Sequence, residues 1–165
     1  MSDSTAAAVD KITNAMLFKP IPDGPGAGLT GFAALQAMKA VPLDGEVSFA
    51  IKQLVKSAKA AGEVYDEERI AIVRRFCAMK KVLGPSGEVD ETDIGPDGQA
   101  IFLGETDDEK KANKDAFESA LNTLFDQPTE IPLRTFPPSV FKGKPVAGVM
   151  FDALDWFIVD PPPAK

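Results

Sequence analysis

EVSFAIKQLVKSAKAAGEVYDEERIAIVRRFCAMKKVL, residues 46–83, contains no proline and repeats apolar side chains at three- and four-residue steps. The series runs Val47, Ile51, Leu54, Ala58, Ala61, Tyr65, then Ile72, Phe76, Met79 and Leu83. That spacing predicts one long amphipathic helix. Asp44 is placed to cap it, Glu46 suits the positive end of its dipole, and Lys80-Lys81 before Gly84-Pro85 reads as its stop. Its roughly 38 residues would span about 57 Å, more than the diameter of a compact globule of this length. Part of it should therefore lack a partner within its own chain. Ala60-Ala61-Gly62 is the soft point, admitting either a close neighbour or a bend, since glycine costs about 1 kcal/mol against alanine in a helix. Two four-residue steps, Glu68 to Ile72 to Phe76, break a strict heptad and argue against a long parallel coiled coil.

Shorter elements flank the helix. Residues 1–10 are small and polar and read as an unstructured arm. Lys11–Phe18 fits a strand or a short helix, and Lys19–Gly28, with Pro20, Pro22 and Pro25 among three glycines, is a loop. A helix should start at Thr30 and end before Pro42, burying Phe32, Leu35 and Met38. Residues 84–106 are rich in glycine, proline and aspartate; Asp97-Gly98 signals a hairpin between Glu88–Ile94 and Gln99–Leu103. Thr106 and Glu109 form a capping box for a helix to about Asp126, with Phe117, Ala120, Leu121, Leu124 and Phe125 on its inner face. Glu130–Phe136 reads as a strand that Pro132 confines to an edge, and a last helix begins near Pro145 with Trp156 as its anchor. The expected fold is mainly α with a small β component: a short helix, one long central helix, two further helices, and a β-hairpin or small edge sheet. Residues 29–158 form one mostly helical domain, between the arm and loop of 1–28 and a Pro-rich extended tail, 159–165.

Composition closes several routes to function. The 165 residues are 44% apolar and 26% charged, enough for one real core. The formal charge is −7, and the densest basic cluster is Arg74, Arg75, Lys80 and Lys81. A nucleic-acid partner is disfavoured because phosphate neutralisation needs a broader basic field. With no histidine, no imidazole base, Ser-His-Asp triad or histidine zinc site can exist. The one cysteine, Cys77, has no disulfide partner and reads as a small buried hydrophobe. The N-terminus lacks a signal peptide and no stretch reaches the length needed to span a bilayer. The expected location is a reducing cytoplasm, with export only by packaging into a larger particle.

Three local patterns invite chemistry and fall short of it. Glu88, Asp90, Glu91, Asp93 and Asp97 supply carboxylates but miss the EF-hand spacing, so a solvated acidic turn is the better reading. Asp23–Gly28 bears a superficial likeness to a phosphate loop, yet lacks its lysine and hydroxyl, and Pro25 removes an amide. Tyr65, Asp66, Glu67, Glu68 and Arg69 are helix neighbours that point to different faces. No catalytic, cofactor-binding or metal-binding residue is assigned. Leu54, Tyr65, Arg69 and Phe76 on the long helix, with Trp156 and Phe157, are the candidate partner-binding residues, since aromatic and arginine side chains concentrate at interface centres.

The order of elements resembles a family of small tailed-phage proteins of unknown function. The resemblance lies in Phe32-Ala-Ala-Leu-Gln-Ala-Met38, in Val47-Ser-Phe-Ala-Ile-Lys-Gln-Leu54 leading to Tyr65-Asp-Glu-Glu-Arg69, and in the Asp97-Gly98 turn. It continues through the helix of Asn113 to Phe125, the strand near Glu130 to Leu133, and Met150-Phe-Asp-Ala-Leu-Asp-Trp-Phe-Ile158. It covers most of residues 29–158; the Pro-rich insertion before them and the tail depart from it. The resemblance implies a non-enzymatic component of the phage head or tail, or an assembly factor, working by contact with other phage structural proteins or with itself. The alternative is a small inhibitor of a host polymerase or defence nuclease, its acidity complementing a basic channel.

Overall fold

The structure is a computed structural model that describes residues 11–159; the N-terminal arm 1–10 and the tail from Asp160 lie outside the described residues. Among the described residues the fold is mainly α, with five helices, one of them long, and two separate two-stranded antiparallel sheets. In chain order these are β1 (Lys11–Thr13), α1 (Asn14–Phe18), α2 (Gly31–Met38), α3 (Gly45–Phe76), β2 (Met79–Gly84), β3 (Gly87–Thr92), α4 (Asp107–Asp126), β4 (Pro128–Pro132), a 3-10 turn (Pro138–Phe141) and α5 (Gly148–Ala153). No helix among the described residues is long and apolar enough to cross a membrane. The chain divides into two compact units. One runs to Glu63 and resumes at Phe125; the other is Val64–Leu124. Residues 29–158 thus fall in both, and the division cuts α3.

The first unit holds the hydrophobic core. The first half of α3 contributes Val47, Ile51, Leu54, Val55 and Ala58, the apolar series read from its spacing. Against it lie Ile12, Leu17, Leu35 and Met38 from the N-terminal elements, and Leu154 and Phe157 after α5. Thr30 caps α2, its Oγ1 accepting from Ala33 N at 3.2 Å. Lys11–Phe18 is both a strand and a helix: β1 pairs with β4, and Thr129 Oγ1 donates to Ile12 O at 2.7 Å. Prolines bracket β4 at both ends, consistent with an edge strand. Lys19–Gly28 is a closed turn, in which Ile21 N donates to Leu29 O and Gly28 N to Ile21 O. The last helix is shorter than expected. It starts at Gly148, and its buried Leu154, Phe157 and Ile158 sit in the turn and bridge beyond it.

The second unit departs most from the sequence reading. The long helix is 32 residues, about 48 Å of helical rise, and ends at Phe76, and Met79–Gly84 is strand β2. Backbone partners far along the chain capture this segment: Leu103 N donates to Phe76 O and Ala78 N to Ile101 O. β2 pairs in register with β3 from Met79↔Thr92 to Gly84↔Gly87, leaving Pro85-Ser86 as a two-residue turn. The apparent helix stop at Gly84-Pro85 is a hairpin turn, with Gly87 at φ +120°. Asp97-Gly98 does turn the chain, Asp97 Oδ1 accepting from Gln99 N at 3.0 Å, but it closes only the Ile94↔Ala100 bridge. Helix α3 is continuous through Gly62, where an added Cβ would lie 3.4 Å from the Phe18 ring. That is an ordinary van der Waals contact.

Helix α4 begins as its capping box requires. Glu109 N donates to Thr106 Oγ1 at 3.2 Å, and Glu109 Oε2 accepts from Thr106 N and Glu105 N at 3.0 and 2.7 Å. Thr106→Ala is expected to destabilise the unit by about 1 kcal/mol, read from urea denaturation. The amides of Thr106 and Glu105 hold the Glu109 carboxyl below its ordinary pKa. A lowered folded pKa makes this contribution complete above the unfolded value and lost as pH falls through the folded one. The Glu105 and Thr106 amide resonances should therefore titrate below the usual glutamate range, and Glu109→Gln should abolish that inflection.

Candidate functional site

The second unit buries little of its apolar surface. Of its described residues, only Tyr65, Cys77 and Leu124 are buried, whereas Val64, Ile70, Leu83, Val89, Ile94 and Leu103 are exposed. Leu83, beside the hairpin turn, is 87% exposed. Every residue of β3 except Thr92 is exposed as well. An isolated two-stranded hairpin is marginal in water, and a unit this small usually needs more burial to stand alone.

A cleft of about 440 Å³ opens between the second half of α3 and this hairpin. Arg69, Ile70, Val73 and Arg74 line the helical side; Met79, Asp90 and Glu91 line the hairpin side. Helical spacing sets Arg69 and Val73 one turn apart on the same face, with Ile70 and Arg74 beside them. The charges on the two sides are opposite. Arg74 Nη2 lies 3.9 Å from Asp90 Oδ2, while Arg69 Nε turns back to Asp66 Oδ1 at 3.3 Å. These are exposed pairs, worth well under about 1 kcal/mol each and open to exchange for a partner's charges. The cleft offers guanidinium donors, carboxylate acceptors and an apolar floor, a set suited to non-covalent recognition of a polypeptide segment.

The acidic stretch 88–97 is tied to neighbouring bases. Lys81 Nζ reaches Glu88 at 3.4 Å and Lys80 Nζ reaches Asp93 at 3.4 Å. The carboxylates that invited a cation are therefore partly matched across the hairpin. Burial raises the Tyr65 phenol above its ordinary pKa, with Arg69 opposing the shift and Asp66 adding to it. Burial likewise raises the Cys77 thiol. Cys77 is 2% exposed, so Ellman's reagent should modify it only as the second unit opens; reaction at the rate of a free thiol in the folded protein would refute that placement.

Of the six candidate binding residues, Leu54, Trp156 and Phe157 belong to the first unit and Tyr65, Arg69 and Phe76 to the second. Leu54 and Phe157 belong to the first unit's core and are occupied by its packing; Trp156 is half-buried beside Phe157, ring centroids 5.9 Å apart. Tyr65 is buried in the second unit, and Phe76 is half-buried under the Arg75 guanidinium, 5.1 Å from the ring centroid. Of the six, Arg69 alone lines the hairpin cleft. Leu83 and Val89 escape a reading that assigns Met79–Leu83 to the buried stripe of a helix. The signal that identifies them is Gly84-Pro-Ser-Gly87, a two-residue hairpin turn that sets Val82 opposite Val89 and Leu83 opposite Glu88. No protein-family model, no curated protein and no solved structure matches this chain.

Proposed function

We propose that this protein is a non-enzymatic protein-binding component, a minor virion or assembly protein of a tailed phage, and that Val64–Leu124 is the part that meets its partner. The observation that carries the reading is the exposed β2–β3 hairpin, with Leu83 at its tip and a charged cleft at its base, on a unit with three buried side chains. The resemblance to small tailed-phage proteins supplies the setting. The protein is made in the host cytoplasm and docks on other phage structural proteins or on a second copy. The ion pairs across the acidic hairpin weigh against the alternative, an inhibitor that inserts a bare acidic surface into a basic channel of a host enzyme.

Mass spectrometry of purified particles and assembly intermediates tests this, run for the wild type and for Leu83→Asp. The expected result is wild type in the particle fraction and the variant absent from it, with the circular dichroism of the two alike. A monomer found in no particle fraction, and recovered instead on a host enzyme, would reverse the ranking.

A further inference from the structure

The β2–β3 hairpin is open along both of its sides. Asp93 N donates to Ala78 O at 2.8 Å, and hydrogen-bonded pairs alternate from there to the turn, through Lys80↔Glu91, Val82↔Val89 and Gly84↔Gly87. The amides and carbonyls of Met79, Lys81 and Leu83 therefore point away from β3, and those of Glu88, Asp90 and Thr92 away from β2. No third strand or isolated bridge covers either edge among the described residues, and these backbone groups bond to no other described segment. The two edges differ in charge. Lys80 and Lys81 are the ionised residues of β2, whereas β3 carries Glu88, Asp90 and Glu91, all of them exposed.

We propose that the β2 edge of one molecule pairs antiparallel with the β3 edge of a second copy, head to tail, in a contact that repeats from copy to copy. This deepens the reading that Val64–Leu124 meets the partner, and rests on it. The hairpin's own register serves the new seam: Met79, Lys81 and Leu83 come opposite Thr92, Asp90 and Glu88 of the second copy, and their outward amides and carbonyls exchange hydrogen bonds. Side chains directly opposite share a face, so Lys81 meets Asp90, Lys80 meets Glu91 and Val82 meets Val89 again across the seam. A lysine on an edge strand ordinarily turns a neighbouring strand away. Facing a row of carboxylates, it attracts one. Pairing of like edges is opposed, since β2 against β2 sets lysine beside lysine and β3 against β3 sets carboxylate beside carboxylate. The ion pairs within the hairpin, Lys81 with Glu88 and Lys80 with Asp93, both at 3.4 Å, are exposed, so each lysine can also reach a carboxylate of the second copy. A head-to-tail contact leaves one free edge of each kind at its ends, and so builds a ring or a filament.

Proline at an outward-facing position removes one donor and blocks a neighbouring strand without costing the hairpin a hydrogen bond. Lys81→Pro closes the β2 edge and Asp90→Pro closes the β3 edge. Purified full-length wild type, the two variants and their equimolar mixture are compared by sedimentation velocity over a concentration series, with circular dichroism matching the variants to wild type. The expected result is wild type growing past the dimer with concentration and shrinking again with added salt, and each variant monomeric. The mixture should stop at a 1:1 dimer, because only one complementary pair of edges remains open. In wild type, amide hydrogen exchange at Met79, Lys81, Leu83, Glu88, Asp90 and Thr92 should slow as concentration rises, a readout that needs no variant to fold. A wild type that stays monomeric, with exchange at those amides independent of concentration, overturns the proposal. So does association lost in one proline variant and kept in the other, the mark of like edges paired. A monomeric wild type that still enters particles refutes only this pairing, whereas self-association with absence from particles refutes only the particle reading.

Discussion

Phe157→Ala is expected to destabilise the first unit by about 3–5 kcal/mol, a large share of the roughly 5–15 kcal/mol that holds a typical domain together. The Phe157 ring is completely buried, stacked at a tilt 5.3 Å from Phe136 and edge-on to Trp156. Truncation removes its apolar transfer energy and leaves a cavity that the surrounding Leu54, Ile131 and Leu154 cannot fill without shifting backbone. Urea denaturation followed through Trp156 reads the loss, because the reporter sits in the same unit. Leu83→Asp is the control, expected within about 0.5 kcal/mol of wild type as an exposed substitution. A loss below about 1 kcal/mol for Phe157→Ala would mean that the ring is not the core residue described here.

Gly31→Ala should destabilise the same unit by about 1–3 kcal/mol, although alanine is the better helix former. Gly31 opens α2, and a Cβ there would overlap the carbonyl oxygen of Met16 and come within 3.3 Å of the Ala153 carbonyl oxygen. Both obstacles are backbone, so no rotamer change relieves them; α1 and the end of α5 would have to move away from α2. The sign of the effect separates the two influences. Propensity alone predicts a slightly higher melting temperature, whereas close packing predicts a lower one. Thermal melts of Gly31→Ala beside Gly45→Ala, where an added Cβ meets nothing within 4 Å, decide between them.

Several features were legible because their determinants are local. Thr30 before Gly31 and Thr106 with Glu109 cap their helices through side chains three residues away, and α4 ends at Asp126 where its apolar spacing stops. The buried face of the first half of α3 follows from the three- and four-residue steps of Val47, Ile51, Leu54 and Ala58. Periodicity alone misplaces the end of that helix. Met79, Lys80, Lys81 and Leu83 are acceptable helix formers, and their spacing continues the stripe. What turns them into a strand is pairing with Gly87–Thr92 and capture of Phe76 and Ala78 by Ile101 and Leu103. The joining of β1 to β4 is similarly hidden, since Thr129 and Ile12 are 117 residues apart.

The candidate site was less legible for the same reason. A stripe of apolar residues states that one face wants burial and says nothing about whether the fold provides it. Leu54, Tyr65 and Leu83 occupy equivalent places in the pattern, yet the fold buries the first two and leaves the third in solvent. By itself the sequence determined a mainly α chain with a long amphipathic helix, capped flanking helices and no histidine chemistry, because capping, turn and periodicity signals act over a few residues. Only the tertiary structure decided where α3 stops, which of its halves carries a core, and that the hairpin at its end stands exposed. Those outcomes depend on hydrogen bonds and packing between segments far apart in the chain, whose pairing no local pattern encodes.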